Sequence, residues 1–382
     1  MGLKTLIKKY KERKRKKHKK KEEKLKYASQ FQLIWHRFKK HKLALMALCV
    51  LTIFYLCAIF AEFVAPYGLI ERNREYQHAP PTRVRMISEE NGLRSPFIYG
   101  YEVKLDQETF QYEFHLDKSE EHSIGFFKET DPHELFGMIT INRTLFGVED
   151  SPVFLFGTDR LGRDIFSRVI YGSRVSLFIG LGGVFVSFVI GTVLGGIAGY
   201  LGGWLDELIM RLVDFLMSIP TLPLWIGLSA ALPAHWGVIE TYFAITLILA
   251  LMGWTGLARV VRGKLISLRE EEFALAAKAA GASERRIITK HLLPAFISYL
   301  VVHLTLAIPN MILGETALSF LGLGIQAPAV SWGSLLQAAQ EITVLAYNPW
   351  LLFPALFVIV TILMYNFVGD GIRDAADPYS NV

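Results

Sequence analysis

Residues 175–201 read VSLFIGLGGVFVSFVIGTVLGGIAGYL and contain no Asp, Glu, Lys or Arg. A helix that crosses a bilayer needs ~20 mainly apolar residues, and this stretch is longer than that. The whole chain is 52% hydrophobic, with a mean hydropathy of +0.33. Suitable windows occur at 43–66, 175–201, 208–232, 241–261, 295–318 and 350–371. The sequence therefore predicts an all-α polytopic membrane protein whose six spans return both termini to one side.

The distribution of Lys and Arg predicts which side that is. Residues 4–42 are densely basic, whereas residues 233–240 and 319–349 contain no Lys or Arg. Because basic loops stay in the cytosol, we expect the N-terminus and the basic insert 259–290 to be cytosolic. The net charge of +6 is concentrated in the N-terminal tail. Such a run more often orients the first span and touches anionic lipid than binds nucleic acid.

These spans divide the chain into four parts. We expect a basic cytosolic tail at 1–42, a first transmembrane helix at 43–66, an extracellular lobe at 67–174 and a five-helix core at 175–382. Within the lobe, residues 97–105 and 109–116 alternate apolar and polar side chains, which predicts two strands joined by a turn at 106–108. This small β-rich insertion either contacts a partner or covers the outer mouth of the bundle.

Glycines and prolines in the spans are expected to shape helix packing. Gly191, Gly195 and Gly199 recur every fourth residue, which allows another helix backbone to approach closely. Ordinary tight packing is the preferred interpretation of this pattern. Prolines predict kinks in three later spans, at Pro220 and Pro223, Pro309, and Pro354.

Ionisable residues inside spans are expensive to bury, which makes them candidates for the translocation path or its gating. Arg211 and Asp214 lie three residues apart and can pair on one helix face. His303 and Glu315 lie in the fifth span. For all four residues, a structural role as an ion pair or a satisfied buried group is the alternative.

A charged, helix-prone insert separates two of the later spans. Residues 272–294 read EFALAAKAAGASERRIITKHLLP. Five alanines favour a helix that Gly281 ends, and Ser283 can cap a second helix that Pro294 helps to terminate. We expect this helix, turn and second helix to form a docking surface for a soluble partner.

The chain lacks the patterns of a catalytic or nucleotide-binding protein. The phosphate-binding pattern G-x-x-x-x-G-K-[ST] comes closest at Gly263 and Lys264, but Ala258 and Leu265 occupy the other required positions. The spans contain no arrangement of catalytic side chains. We therefore predict a chain that has no catalytic or metal-binding residues and does not hydrolyse ATP.

Three segments carry a family resemblance. The insert has Ala276, Ala277, Gly281, Leu293 and Pro294 at the positions of an EAA loop, with Leu275 in place of Glu and His291 in place of Ile. Residues 157–164 read GTDRLGRD, and a third set of matching positions lies within 315–378. Together they resemble permease subunits of ATP-binding-cassette (ABC) importers, in the peptide and nickel group and on its C-type oligopeptide and dipeptide branch. The resemblance covers residues 156–380 and the first span.

The resemblance implies a six-helix type I ABC importer transmembrane domain in the bacterial inner membrane, with both termini cytosolic. It implies a second permease subunit forming a heterodimer, two cytosolic ATPase subunits that bind ATP and Mg, and an extracellular solute-binding protein. The chain itself would bind no cofactor. It would form half of a path for oligopeptides or dipeptides, and its insert, residues 262–294, would couple to the ATPases.

The expected coupling residues are Glu272, Phe273, Ala276, Ala277, Gly281, Ala282, Ser283, Arg286, Leu293 and Pro294. For Phe273, packing against its own bundle is an equal alternative. An ATPase-independent secondary transporter or channel is the alternative function, and a membrane-embedded enzyme or scaffold is a third. Secondary carriers usually contain internal repeats, and the two halves of this chain show no convincing repeat.

Overall fold

The computed structural model describes residues 30–377 apart from 89–91, 106, 108–111, 136–138, 149–150 and 234. Most of the tail predicted at 1–42 lies outside the described residues. The first helices are α1 (Gln30–Phe38), α2 (Lys42–Ile59) and α3 (Ala61–Val64), and the core contains α4 (Ile165–Leu201), α5 (Gly203–Ser218), α6 (Thr221–Ala230) and α7 (Val238–Leu268). They are followed by α8 (Glu272–Ala279), α9 (Glu284–Ile287), α10 (Leu293–Ala295), α11 (Ile297–Phe320), α12 (Trp332–Leu336), α13 (Ile342–Tyr347) and α14 (Phe353–Ala376).

Among the described residues, five helical segments are long and apolar enough to cross a bilayer. They are α2, α4, α7, α11 and the segment Pro349–Ala376 that contains α14. A sixth span exists if α5 and α6 count as one, but these two helices are bent by 86°. The predicted all-α membrane fold is confirmed, and the bend interrupts the third predicted span, 208–232, where Pro220 and Pro223 predicted a kink.

Proline chemistry explains the broken third span. Pro220 lacks an N–H and forces the preceding residue out of the helical region, and Ile219 is accordingly extended at φ −89°, ψ 126°. Pro220 then becomes the N-cap of α6. Pro309 lies inside α11. The predicted kink at Pro354 is wrong, because this proline occupies the first turn of α14, where a missing N–H leaves no hydrogen bond unmade.

Helices α4 and α7 pack backbone against backbone. A Cβ atom added to Gly195 would lie 2.8 Å from Cα of Ala258, and one added to Gly199 would lie 2.6 Å from the carbonyl oxygen of Arg262. Gly191 repeats the close approach one turn earlier. The predicted tight packing is confirmed. Gly191, Gly195 and Gly199 of α4 meet Trp254, Ala258 and Arg262 of α7 in the same order. The two helices therefore run parallel and end at the same side of the bundle.

The bundle therefore has two distinct ends. One end, here called the coupling end, is where α8 follows α7. At this end Arg37 Nη1 donates to the carbonyl oxygen of Asp377 at 2.7 Å, which brings α1 to the end of α14. At the lobe end, the first turns of α4 pack against α12, where Trp332 Nε1 donates to the carbonyl oxygen of Val169 at 3.0 Å. The β-strands also lie at the lobe end, since Phe146 contacts Phe166 at the start of α4.

The lobe contains two small antiparallel sheets. One has the order β1 (Arg85–Ser88), β2 (Gly92–Leu105), β3 (Tyr112–Ser123), and the other pairs β4 (Gly125–Leu135) with β5 (Ile139–Gly147). The predicted strands at 97–105 and 109–116 match β2 and β3, with Leu105 opposite Tyr112. Residues 106, 108 and 109–111 lie outside the described residues, so the predicted turn is only partly covered. A small core of Ile98, Ile124 and Val153 holds the lobe together.

Candidate functional site

The coupling segment, residues 272–294, begins with the short helix α8. Gly281 follows that helix with φ +78°, and its N–H donates to the carbonyl oxygen of Lys278 at 3.0 Å. The N–H of Ala282 donates to the carbonyl oxygen of Ala277 at 3.1 Å. These two bonds form a Schellman motif, which requires the left-handed conformation that glycine adopts without strain. The predicted turn at Gly281 is therefore confirmed.

The second half of the coupling segment differs from the prediction. Ser283 occupies the N-cap position of α9, but its side chain makes no capping hydrogen bond. The helix continues from α9 through a π-helical turn, Ile288–Leu292, into α10. Pro294 lies in the first turn of α10 and does not terminate the preceding helix.

One face of the coupling segment is anchored to the membrane core. A cluster of buried side chains joins the segment to α7. Ala274, Ile287 and Leu292 of the segment and Phe296, the residue before α11, pack against Leu257, Val261 and Leu265 of α7. Ala277, Ala282 and Leu293 are partly buried against the same cluster. Apolar packing therefore fixes this face of the segment to α7.

The opposite face of the coupling segment is exposed. Phe273 is 42% exposed and Leu275 is 49% exposed, so both lie outside the buried cluster. The other expected coupling residues on this face are Glu272, Ala276, Gly281, Ser283, Arg286 and Pro294. Small side chains around two large apolar ones, with charges at the margin, form a surface that another protein can cover.

Ion pairs join α7 to α5 just inside the coupling end. Arg262 Nη2 lies 2.6 Å from Asp206 Oδ2, and Arg259 Nη2 lies 2.5 Å from Asp214 Oδ1. The predicted pair between Arg211 and Asp214 is wrong. Arg211 instead bonds Glu207 at 2.5 Å, four residues earlier on the same helix face, while Asp214 faces α7.

His303 lies beside a cavity of about 260 Å³ between α4, α7 and α11. Asn310, two helical turns later on α11, lines the same cavity, as does Ser187 of α4. His303 is half-buried, and its ring lies 6.4 Å from that of Tyr299. Sequence reasoning missed Asn310, although its seven-residue spacing from His303 puts both on one helix face.

Glu315 lies in a different environment from His303. Its side chain is fully buried and accepts hydrogen bonds from Ser319 Oγ at 2.7 Å and Ser176 Oγ at 3.0 Å. Ser176 Oγ also accepts the N–H of Trp332 at 3.1 Å. Glu315 therefore ties α4, α11 and α12 together at the lobe end, and it is not among the residues that line the cavity beside His303.

The GTDRLGRD turn, residues 157–164, folds around one carboxylate. Asp159 Oδ1 accepts the N–H groups of Leu161 and Arg163 at 2.8 and 3.1 Å, while Oδ2 lies 2.7 Å from Arg163 Nη2 and 2.5 Å from Arg168 Nη1. Burial acts to raise the pKa of Asp159, but Arg168 and Arg163 outweigh it and hold that pKa below its usual range. Gly162, at φ +71°, admits no Cβ because the Asn73 backbone lies against it.

Two family descriptions match the chain. Residues 191–380 match "Binding-protein-dependent transport system inner membrane component", and residues 29–81 match "N-terminal TM domain of oligopeptide transport permease C". The dipeptide transport system permease protein DppC of Bacillus subtilis is 33% identical over 351 residues, which are 92% of this chain and 86% of that protein. This chain belongs to the oligopeptide and dipeptide permease family of ABC importers.

Further relatives of this permease include the oligopeptide transport system permease protein OppC of Haemophilus influenzae. It is 44% identical over 226 residues, which are 58% of this permease and 70% of OppC. A solved structure of the MetNI methionine ABC transporter in an inward-facing conformation gives a TM-score of 0.44 at 20% identity. The match covers 56% of this permease and 98% of that chain.

The family assignment confirms that this permease is a non-catalytic membrane component. In such systems nucleotide is bound by separate ATPase subunits. In the described part of this permease, no three His, Cys, Asp or Glu side chains are grouped to hold a metal ion.

Proposed function

We propose that this permease forms half of a translocation path for oligopeptides or dipeptides and receives motion from ATPase subunits through the coupling segment. The observation that carries the proposal is the two-sided coupling segment: an inner face buried against α7 and an outer face left exposed. The proposed partners are a second permease, two cytosolic ATPases that bind ATP and Mg, and an extracellular solute-binding protein. The curated relatives named above are dipeptide and oligopeptide permeases.

Packing explains how motion would travel. Protein interiors transmit displacement because they are densely packed, and α8 is fixed to α7 by a buried apolar cluster. Helix α7 is in turn locked to α4 by the glycine contacts at Gly191, Gly195 and Gly199. The Arg262–Asp206 and Arg259–Asp214 pairs carry the same displacement to α5. A shift of α8 would therefore move α4, α5 and α7 as one body.

The proposed topology puts the coupling end in the cytosol, with both termini, and the lobe outside. The Lys and Arg distribution supports this orientation. Lys278 is an exposed residue of α8. Lys278→Cys should therefore react with a membrane-impermeant maleimide in permeabilised cells or inverted vesicles, and not in intact cells. Labelling from outside intact cells would overturn the orientation. In the same scheme His303 and Asn310 line the path through the cavity of about 260 Å³.

A co-purification experiment tests the coupling surface. An ideal Cβ at Gly281 meets no atom within 4 Å, so Gly281→Arg fits the isolated permease and alters only the exposed face and the backbone strain. Gly92→Arg is the matched control, since Gly92 also has a positive φ, +66°, and open space around it but lies in the lobe. We expect Gly281→Arg to abolish co-purification of the ATPases and peptide uptake while preserving membrane insertion.

The control determines how the result is interpreted. Adopting positive φ costs a non-glycine residue roughly 1–2 kcal/mol, and both variants carry this strain. If Gly92→Arg retains ATPase binding and Gly281→Arg loses it, the loss comes from the surface and not from strain. Normal ATPase binding and uptake by Gly281→Arg would show that the docking assignment is wrong.

A further inference from the structure

A second cavity lies at the lobe end, away from the coupling segment. Its volume is about 460 Å³, within the 300–1,000 Å³ that is typical of small-molecule sites. The GTDRLGRD turn and Arg168 form one wall, and residues 325–344 form much of the other. None of the residues that line this cavity belongs to the coupling segment.

The charged wall carries an excess of positive charge. Arg160, Arg163 and Arg168 line the cavity, and the carboxylates that line it are those of Asp159 and Glu341. The carboxylate of Asp159 is already saturated, because it accepts bonds from two guanidinium groups and two backbone N–H groups. Glu341 is exposed at the other wall. One guanidinium charge therefore remains without an opposite charge in the lining.

Two polar groups of the cavity lack partners. The N–H of Arg168 Nε is buried and has no hydrogen-bond partner among the residues that the structure describes, and the same holds for Nδ1 of His78. A buried donor without a partner is unfavourable. Arg160 is exposed and makes no hydrogen bond or ion pair within the described part of the chain. Arg160 thus offers donors to a ligand, and the charge of Arg168 lies in the same wall.

The rest of the lining is mixed, because Gln326, Ser334, Gln337 and Gln340 are polar and several other residues are apolar. Ile325, Val330, Leu335 and Leu351 border the cavity, and each is less than 9% exposed. Guanidinium groups bind carboxylates through two parallel hydrogen bonds, and such bonds are stronger where water is excluded. A ligand that suits both walls has a carboxylate beside an apolar side chain.

We propose that this cavity binds the terminal carboxylate of a short peptide, with its last side chain against the apolar wall. The choice of a peptide, rather than another carboxylate, rests on the proposed function. Under the proposed topology the cavity faces the side from which substrate arrives, so it forms an entry subsite on the permease itself.

Direct binding to the complete importer tests the inference. The assembly, without its external binding protein, is placed in lipid nanodiscs, and saturation-transfer NMR measures binding of the tripeptide Ala-Ala-Phe and its C-terminal amide. Arg160→Gln removes a free donor without breaking any described ion pair. Arg72→Gln is the matched control, because Arg72 is an exposed arginine of the lobe end outside the cavity lining. Size-exclusion chromatography checks assembly of each variant.

We expect the amide and the Arg160→Gln variant each to weaken binding at least tenfold, as expected for loss of a charged hydrogen bond. Arg72→Gln should bind like the wild type. The inference is overturned if the acid and the amide bind equally or if Arg160→Gln has no effect. It is also overturned if inorganic phosphate competes as well as the peptide acid, or if no binding occurs at about 10 mM peptide, which would put Kd above roughly that concentration. Peptide uptake with the binding protein present is measured in parallel. If uptake persists while cavity binding fails, only this inference falls.

Discussion

Substitutions at adjacent glycines of α4 should change stability in opposite directions. In Gly195→Ala the new Cβ would lie 2.8 Å from Cα and 3.0 Å from the carbonyl carbon of Ala258. In Gly196→Ala the nearest atom is Leu265 Cδ1 at 3.9 Å, an ordinary contact. The two substitutions share the same chemistry and the same helix and differ in what the added methyl group meets.

The magnitudes follow from this difference. Alanine is better than glycine inside a helix by roughly 0.5–1 kcal/mol, and both variants gain that amount. Overpacking costs about 1–3 kcal/mol, and at Gly195 we expect the upper end because the opposing atoms are backbone and cannot rotate away. The net expectation is about 2 kcal/mol of destabilisation for Gly195→Ala and somewhat under 1 kcal/mol of stabilisation for Gly196→Ala.

Unfolding in mixed detergent and SDS micelles, followed by tryptophan fluorescence, measures both values. Trp254, one of seven tryptophans in the chain, lies at the same helix interface, so part of the emission reports separation of α4 from α7. Equal shifts for the two variants, or stabilisation by both, would refute the claim that α4 and α7 touch through their backbones. Gly195→Ala should also reduce peptide uptake, because a separated α7 no longer moves α4.

Three further predictions concern charged residues. Arg262→Asp should reduce peptide uptake severalfold, because it places two carboxylates side by side. The double variant Arg262→Asp, Asp206→Arg should restore part of the uptake, and the difference between the two variants measures the interaction of the pair. No restoration would argue against a direct ion pair. Glu315→Ala should destabilise the permease by about 2–4 kcal/mol because it leaves buried serine donors unmet, whereas Glu315→Gln keeps one acceptor and should lose less in the same SDS unfolding assay. Burial raises the pKa of Asp164 from 3.8 to about 7, so the folded state holds this proton more tightly than the unfolded state, and stability should fall as pH rises from about 4 to about 7. Asp164→Asn retains the cap on Ser167 and should remove that part of the pH dependence of unfolding; an unchanged profile would exclude this carboxyl as its source.

Features that depend on local chemistry were predictable from the sequence. The spans at α2, α4, α7, α11 and α14 follow from runs of apolar residues, because the bilayer admits few alternatives. The turn at Gly281 follows from the residue type alone, since few residues other than glycine adopt its φ without strain. The three glycine contacts between α4 and α7 follow from a repeat on one face of α4.

Features that depend on distant partners were not predictable. Asp214 has a basic neighbour three residues away, yet it pairs with Arg259, 45 residues later. Pro220 indicated a disturbed helix, but the size of the bend depends on how α5 and α6 pack against the rest of the bundle. The cavity at the lobe end combines Arg160 and Arg168 with residues 325–344, and no short motif contains both walls. Tertiary contacts decide all three.

Helix α4 is longer than the membrane is thick. Its 37 residues extend for about 55 Å at ~1.5 Å per residue, against a hydrocarbon core of about 30 Å. Its length lets it reach from the coupling segment at one end to the arginine-lined cavity at the other. A tilt of about 10° around its midpoint would displace each tip by about 5 Å, roughly the pitch of one helical turn. Under the proposed function and the proposed entry subsite, such a tilt would let ATPase closure at the coupling end alter the subsite at the other end of the helix.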